Sequence, residues 1–508
     1  MRRSFRRAIK AAFSHRSAER SPSAGGNAGE FLGRVAARAG AGFRRAGVSG
    51  ILGAGWRGTT ARLGLPGVLG TVHLPRSDEK TLSRRGRFSR RNRGSPHVEF
   101  TLRVLFVPLA AAGHFYTMVP LAWAFRVAGH DVRVAAQPSV LGLVNSSGLT
   151  AVPVGEPTNV LSNIKGSVDA LRSETGKSLA DYGDLESMPD EVRERFKELR
   201  RETFVAMASE IADDLVGLAR GWRPDLIVTD PVMFVGALLS EVTGAPLVRH
   251  LSGPLLPTFH RALGSGLPVD EWPASLLALF ERFGAEPRPD PAMVNVDPTP
   301  PSLLTRPAAN RVGFRYVPYN GATQMPGWLR EPAGRPRVCV SWSMTNTVTS
   351  GEKEYPAAAI AKALAQRGTE VVVTVKATDR PHFGQVPDGV RIVEELPLQL
   401  VVPSCAAAVN HGGGGTSLTV VTSGTPQVMM PQDPAHVVNA ERIATAGAGV
   451  AHRTRPIDIP AVVEAASEMV DEGRWRAAAR AVEEENARQP SPAEAVRVLE
   501  QLVMARLR

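Results

Sequence analysis

Two stretches of the chain alternate short apolar runs with helical patterns, and this alternation limits the fold more than any other feature. The run LRVLFVPLA (residues 102–110) is followed by a helical pattern and then by DVRVAAQP, and a similar series begins at RVCVSWS (residues 337–343). Apolar runs of this length that end at small or polar residues are typical of buried parallel strands, which helices must connect. The sequence therefore predicts an α/β fold with two domains.

The limits of these domains follow from composition. We predict an N-terminal domain of residues 99–315, a linker of residues 316–336 that is rich in proline and glycine, and a C-terminal domain of residues 337–508. Residues 252–310 contain many prolines and show no clear period, so we expect loops and short helices there that face a ligand.

Residues 1–98 differ from the rest of the chain in charge. They contain 21 of the 60 Lys and Arg and 4 of the 49 Asp and Glu, a net charge of +17, whereas the other residues carry −6. Such a composition is typical of a disordered basic tail. A second interpretation is that the natural protein begins near Val98, because bacterial genes can start at a valine codon. Since Phe88 is the one aromatic in its most basic run, this leader is not expected to hold a specific nucleic acid.

The rest of the composition argues against several classes of protein. The two cysteines, Cys339 and Cys405, lie in apolar stretches and are interpreted as buried thiols, so neither a disulfide framework nor a zinc site is expected. No uninterrupted apolar run has the length that spans a membrane, and we expect a cytoplasmic protein without a transmembrane segment.

The sequence VNHGGGGTSLTVV places four glycines between an apolar run and a helical pattern. The first N–H groups of a helix lack internal acceptors and can bind a phosphate, which glycines allow to approach closely. The candidate phosphate ligands are His411, Gly413, Gly414, Gly415 and Thr416, and we also expect Thr416 to cap the helix. A plain flexible turn is the alternative for the glycines alone. This stretch matches neither a P-loop nor the spaced G-x-G-x-x-G of a dinucleotide fold.

The longer block VNHGGGGTSLTVVTSGTPQVMMPQ…NAERIATAGAGV resembles the donor-nucleotide signature of GT-B glycosyltransferases, in which two Rossmann-like α/β domains face each other across a cleft. The stretches VPLAAAGHFYTMVPLAWAFRVAGHDVRVAAQP and RYVPYNGATQMPGWLREPAGRPRVCV are similar to those of antibiotic and macrolide deoxysugar transferases. The likeness extends over roughly residues 100–490. It implies inverting transfer of a deoxysugar from a nucleotide diphosphate, thymidine diphosphate in this subtype, to a hydroxyl group of a hydrophobic polyketide or macrolide.

Within this likeness, His114 in the loop after the first strand matches the family's catalytic base. A histidine whose pKa lies near the working pH suits removal of a proton from an acceptor hydroxyl. Asp230, at the end of LIVTD, matches the carboxylate that orients the base, although a cap of the following helix would also explain an Asp-Pro pair. His130 fits a turn between helix and strand and is interpreted as structural.

The resemblance also implies where the donor lies. The diphosphate would contact residues 411–416, and Ser343 would close over it. The nucleobase would lie near residues 395–398, where relatives often present an aromatic and this chain has none.

The sugar would meet His436 and Asn439. Common sugar-using relatives carry an Asp-Gln pair at the positions of Ala435 and His436, and Asp433 lies two residues too early to replace the aspartate. Because that pair binds sugar hydroxyls, its loss fits a deoxysugar with fewer hydroxyls. It fits a weakened or inactive enzyme equally well.

The remaining expectations concern cofactors and partners. The sequence contains no D-x-D pair to clamp a metal on the diphosphate, so we expect no metal and no cofactor beyond the nucleotide-sugar substrate. The acceptor would lie against residues 114–118 and 252–265. The resemblance implies an auxiliary activator protein, and a homodimer stays open. The alternatives are a non-catalytic GT-B homologue that acts as a partner and a lipid glycosyltransferase.

Overall fold

The computed structural model of the chain describes residues 100–157, 160–177, 187–253, 267–304, 310–342, 355–431, 434–454 and 456–507. The basic leader of residues 1–98, Ser343, Asp433 and residues 254–265 of the predicted acceptor loops lie outside the described residues.

A seven-stranded sheet forms the first domain, with the strand order β3-β2-β1-β4-β5-β6-β7 and parallel pairing throughout. Its strands are β1 Arg103–Val107, β2 Asp131–Ala136, β3 Thr150–Pro153, β4 Leu226–Thr229, β5 Leu247–His250, β6 Ala292–Asp297 and β7 Arg311–Gly313. Its helices are α1 Ala112–Val127, α2 Pro138–Ser146, α3 Val160–Thr175, α4 Asp190–Trp222, α5 Val235–Thr243 and α6 Ala274–Arg282. The strand order reverses between β1 and β4, so the carboxyl ends of these neighbours border a crevice, where open α/β sheets bind ligands.

A six-stranded parallel sheet with the order β10-β9-β8-β11-β12-β13 forms the second domain. Its strands are β8 Arg337–Ser341, β9 Glu370–Val375, β10 Val390–Glu394, β11 Ala407–Asn410, β12 Gln427–Met429 and β13 Gly449–Ala451. Its helices are α7 Pro356–Gln366, α8 Leu398–Val401, α9 Gly414–Val421, α10 Pro434–Thr445, α11 Ile459–Asp471 and α12 Gly473–Arg488, and the chain ends with α13 Pro492–Leu507. The prediction of two α/β domains with parallel sheets is confirmed.

Helices cover both faces of the first sheet, which explains why its central strands β1 and β4 are apolar at nearly every position. In β1, Val104 and Phe106 pack on one face in a core with Leu121 of α1. Leu105 points to the other face and packs in a second core with Ile211 of α4. All these side chains are at most 2% exposed, so neither face of β1 tolerates the polar alternation of a half-solvated strand.

The strand β6 lies in residues 252–310, for which the sequence predicted loops and short helices, and β7 begins just after this stretch. β6 and β7 extend the first sheet beyond β5, so the prediction is wrong for residues 292–297. The run AMVNVD is short and lies among prolines, so its own sequence signal is weak. Pairing with β5 decides its conformation, because tertiary context overrides weak local preference.

The end of the chain packs back on the first domain. Helix α13 contacts α1, and Glu500 of α13 accepts a hydrogen bond from His130 Nε2 at 2.8 Å. The other ring nitrogen of His130, Nδ1, accepts from the backbone N–H of Leu102 at 3.2 Å. His130 therefore links the last helix to the start of the first strand. No helix within the described ranges is long and apolar enough to cross a lipid bilayer.

Candidate functional site

His114 and Asp230 meet at the crevice between β1 and β4. His114 Nδ1 lies 2.6 Å from Asp230 Oδ2, and the Asp230 carboxylate is 1% exposed. Adjacent pairing of β1 and β4 explains the approach, because Val107 is in register with Thr229. Asp230 follows Thr229 directly, and His114 lies in the first turn of α1, the helix that follows β1. The structure therefore brings together the two residues that the sequence singled out for proton transfer.

The position of each residue corrects part of the sequence prediction. α1 begins at Ala112, so His114 lies in the first turn of a helix rather than in a loop. Gly113, a poor helix former directly before the histidine, does not delay this start. The helix after β4 begins only at Val235, and Asp230 instead accepts the N–H of Val232 at 3.1 Å in a turn. Asp230 thus stabilises the turn of residues 230–232 and also bonds His114, and it does not cap α5.

This geometry determines which nitrogen can act as a base. A carboxylate only accepts hydrogen bonds, so the neutral imidazole carries its proton on Nδ1 and has a lone pair on Nε2. The His114 side chain is 37% exposed, which leaves the ring accessible from the cleft. The pair can therefore accept a proton at Nε2 and stabilise the resulting cation through Asp230.

His250, at the end of β5, lies beside Asp230 and is a residue of the site that the sequence did not reveal. The register that pairs Thr229 with Arg249 places His250 beside Asp230. His250 is fully buried, and neither ring nitrogen has a hydrogen-bond partner among the described residues. Burial lowers the pKa of the His250 imidazole to about 4, against the charge of Asp230, which favours the cation. His250 is therefore neutral near pH 7. Of the two histidines, His114 is the one whose cation the Asp230 carboxylate stabilises.

The glycine loop follows β11, and side-chain hydrogen bonds of Asn410, the last residue of that strand, fix its conformation. Asn410 Oδ1 accepts the N–H of Gly412 at 2.7 Å, while Asn410 Nδ2 donates to Gln427 Oε1 at 2.8 Å. Gly412 has a φ of +80°, and a Cβ there would lie 3.0 Å from the His436 carbonyl oxygen. A side chain at this position would therefore meet both backbone strain and a close backbone neighbour.

Helix α9 starts directly on the glycines. Its first internal bond runs from Ser417 N to Gly413 O at 2.8 Å, so the helix offers no acceptor to the N–H groups of Gly414, Gly415 and Thr416. Gly413 occupies the N-cap position, and the expectation that Thr416 caps the helix is wrong. The glycines allow the helix to begin before the threonine. Its first N–H groups have no acceptor within the helix, so they can still bind an anion.

The two domains meet at the start of α9. A Cβ at Gly414 would collide with the carbonyl oxygen of Ser252 from the first domain. A Cβ at Gly415 would lie 3.6 Å from Thr117 Cγ2 and 3.7 Å from the carbonyl oxygen of Gly113. The first turns of α1 and α9 are thus neighbours, which places the His114–Asp230 pair beside the candidate phosphate site.

The other predicted donor ligands gather at the same loop. The rings of His411 and His436 lie edge to face with centroids 4.9 Å apart, and Trp342 contacts His411 from another direction at 6.2 Å. A Cβ at Gly413 would collide with the His411 ring, so the ring covers that glycine. Asn439 Nδ2 donates to the Gly412 carbonyl at 2.9 Å, which makes Asn439 a support of the loop.

Tyr316, from the predicted linker, is a further support that the sequence did not reveal. Its hydroxyl donates to the Gly415 carbonyl at 3.1 Å and lies 3.0 Å from Thr419 Oγ1. Burial raises the pKa of Tyr316 to about 12, so the phenol stays a donor. Asn486 of α12 bonds both the N–H and the carbonyl of Tyr316. Composition marks this segment as a linker and gives no sign of such anchoring.

Among the described residues, no group of three or more His, Cys, Asp and Glu side chains is arranged to hold a metal ion.

Comparisons with known proteins agree on one family. The models described as "Erythromycin biosynthesis protein CIII-like", N-terminal domain and C-terminal domain, match residues 123–343 and 358–502. Aklavinone 7-beta-L-rhodosaminyltransferase of Streptomyces galilaeus is 36% identical over 79% of this chain and 96% of its own length. The 10-deoxymethynolide desosaminyltransferase of Streptomyces venezuelae is 34% identical over 79% of this chain and 97% of its own length. The structure of glycosyltransferase VinC in complex with dTDP aligns with a TM-score of 0.65 and 31% identity, over 80% of this chain and all of that one.

Proposed function

The chain belongs to the erythromycin biosynthesis protein CIII-like family, and we propose that it transfers a deoxysugar from a thymidine-diphosphate donor to a hydroxyl of a polyketide. It is a glycosyltransferase with two Rossmann-like domains of the GT-B type. The observation that carries the proposal is the His114–Asp230 pair, which lies against the helix end formed by the glycine loop.

The proposed reaction begins with His114. Its Nε2 removes the proton of the acceptor hydroxyl as the oxygen attacks the anomeric carbon of the donor. The new carbon–oxygen bond forms on the face opposite the diphosphate, and the bond to the diphosphate oxygen breaks, which inverts the anomeric centre. The proton stays on His114, where Asp230 at 2.6 Å stabilises the cation.

We propose that the start of α9 stabilises the leaving diphosphate. The N–H groups of Gly414, Gly415 and Thr416 point out of the helix end, where the helix dipole adds positive potential. His411 stands over Gly413 and can donate a further hydrogen bond. We propose on this basis that the reaction needs no metal, and turnover that survives chelation by EDTA is the expected result.

The sugar class follows from the start of α10. Ala435 and His436 occupy its first turn. Neither residue supplies the carboxylate of the Asp-Gln pair, which binds sugar hydroxyls in common relatives. A buried polar group of the protein that finds no sugar hydroxyl costs about 1–3 kcal/mol of binding free energy. A site that lacks the Asp-Gln pair avoids this cost with a sugar that has fewer hydroxyls. A deoxysugar is the donor we propose.

The acceptor would enter beside the first turn of α1, near His114 and Tyr116. The relatives act on aklavinone and 10-deoxymethynolide, as their names state. We propose an acceptor of this hydrophobic polyketide class. An auxiliary activator protein and a homodimer remain proposals from the family resemblance. The intact His114–Asp230 pair argues against a non-catalytic homologue, and the names of the relatives argue against a lipid acceptor.

The test is a reaction of the purified chain with a panel of thymidine-diphosphate deoxysugars and polyketide aglycones, with and without a co-expressed activator. Mass spectrometry should detect a glycosylated aglycone together with released thymidine diphosphate. Preference for UDP-glucose over every thymidine-diphosphate deoxysugar, or turnover of a lipid acceptor only, would contradict the proposal.

A further inference from the structure

A small cavity lies between the two domains, beside the first turn of α9. Thr299 lines it from the first domain, and Ser417 and Arg442 line it from the second. It has room for about one species the size of a water molecule, which is too little for a phosphate or a sugar. Gly414, Ser417 and Leu418 share the helix face that borders it. The cavity therefore lies against the side of α9, whereas the N–H groups proposed for the diphosphate lie at the end of that helix.

The hydroxyl of Thr299 is the first polar group that the cavity meets. Its oxygen is buried and has no hydrogen-bond partner among the described residues. The Thr299 N–H donates to Asp297 Oδ1 at 2.9 Å, and the Thr299 carbonyl accepts from Arg311 Nη2 at 2.8 Å. Asp297 also forms an ion pair with Arg311 at 2.9 Å, so the carboxylate that Thr299 contacts is already neutralised. The hydroxyl is thus a buried donor without an unpaired negative charge beside it.

Ser417 supplies a second hydroxyl of the same kind. The residue is 1% exposed, and its Oγ bonds to nothing in the part of the chain that the structure describes. Helical serines and threonines often donate to the carbonyl four residues earlier, as Thr419, Thr422 and Ser423 do at 2.5–2.7 Å. Ser417 instead leaves the carbonyl of Gly413 to its own backbone N–H. Its hydroxyl therefore remains available to a species in the cavity.

Arg442 of α10 brings a positive charge to the cavity. The carboxylate of the adjacent Glu441 bonds Arg453 Nη1 at 2.5 Å, and Arg442 itself forms no ion pair among the described residues. The N-terminal turn of α9 adds positive potential through the helix dipole. A charged acceptor bonds O–H and N–H donors more strongly than a neutral one. The surroundings of the cavity therefore favour an anion over a water molecule.

We propose that this cavity binds one small monatomic anion, with chloride as the ion that cells supply. The hydroxyls of Thr299 and Ser417 and the guanidinium of Arg442 donate hydrogen bonds to it, which gives both buried hydroxyls a partner. Because these ligands come from both domains, the anion stabilises the arrangement in which the start of α9 lies beside α1. None of the three residues takes part in the proposed proton transfer or diphosphate binding, so this inference does not depend on the proposed function.

The test measures the thermal unfolding midpoint of the full chain while potassium chloride replaces potassium gluconate at constant total potassium. A ligand that binds only the folded chain raises the midpoint with its concentration, and we expect a saturating rise for the wild type. Thr299→Val, Ser417→Ala and Arg442→Gln should each weaken chloride about tenfold or more, the loss expected for one hydrogen bond to a charged group. In gluconate alone, Ser417→Ala should be at least as stable as the wild type, because it removes a buried hydroxyl without a partner.

Ser423→Ala is the matched control. The Ser423 hydroxyl already donates to the Thr419 carbonyl at 2.7 Å, so this variant should keep the wild-type response to chloride. A wild-type midpoint that is the same in both salts would overturn the proposal and leave the cavity to water. An equal response of the wild type and all three cavity variants would place the anion elsewhere on the chain and would overturn it as well.

Discussion

Acidification should destabilise this protein through His250, and the size of the effect follows from its environment. The pKa of the imidazole falls from its ordinary value of 6.5 to about 4 in the folded chain because the ring is fully buried. Between these pH values the unfolded chain binds a proton at residue 250 that the folded chain does not bind. Stability therefore decreases as pH falls through this window, by 1.36 kcal/mol for each pH unit, or about 3 kcal/mol in full.

The assay is urea unfolding of the wild type and of His250→Leu at several pH values between 7 and 4. Other groups titrate in both proteins, so the difference between the two isolates residue 250. The variant should be at least as stable as the wild type at pH 7, because leucine removes two buried nitrogens without partners. Its advantage should grow toward about 3 kcal/mol at pH 4. An advantage that does not change with pH would refute the assignment of a neutral, buried His250.

Three other predictions address the site and its supports. Asp230→Asn should lower kcat about 100-fold or more while calorimetry finds unchanged affinity for thymidine diphosphate, because an amide cannot stabilise the protonated base. Gly414→Ala should lower the free energy of unfolding by about 1–3 kcal/mol, because the new Cβ meets the Ser252 backbone. Gly217→Ala, where a Cβ meets nothing within 4 Å, should raise it by about 0.5–1 kcal/mol, and equal urea midpoints for the two glycine variants would contradict the contact. Tyr316→Phe should cost about 1 kcal/mol in the same assay, because its hydroxyl no longer bonds the backbone of α9, and an unchanged midpoint would show that this bond is weak.

Local sequence patterns predicted the parts of the fold that local patterns determine. Buried parallel strands such as β1 and β11 are apolar at nearly every position, and the helical pattern after the glycines predicted α9, although not its first residue. The local sequence did not predict the strand β6, because its conformation depends on pairing with β5, which lies far away in sequence.

The site was predictable to the extent that its residues follow strands. His114 and Asp230 come after β1 and β4, whose ends meet at the reversal of strand order. His250 gave no signal, because its role depends on complete burial beside Asp230. Tyr316 lies in a segment whose composition indicates a linker, yet its side chain is 3% exposed and bonded to α9. Supports of this kind arise from packing between distant segments and leave no local pattern.

The most direct test of the proposed mechanism is the initial rate of glycoside formation by the wild type and by His114→Ala with a cognate donor and acceptor. We expect the variant to lose about 10²–10⁴-fold in kcat, the usual contribution of a positioned general base, while its affinity for thymidine diphosphate stays the same. His452→Ala, a histidine outside the proposed machinery, should keep the wild-type rate. Undiminished product formation by His114→Ala would contradict the assignment of His114 as the base and with it the proposed mechanism.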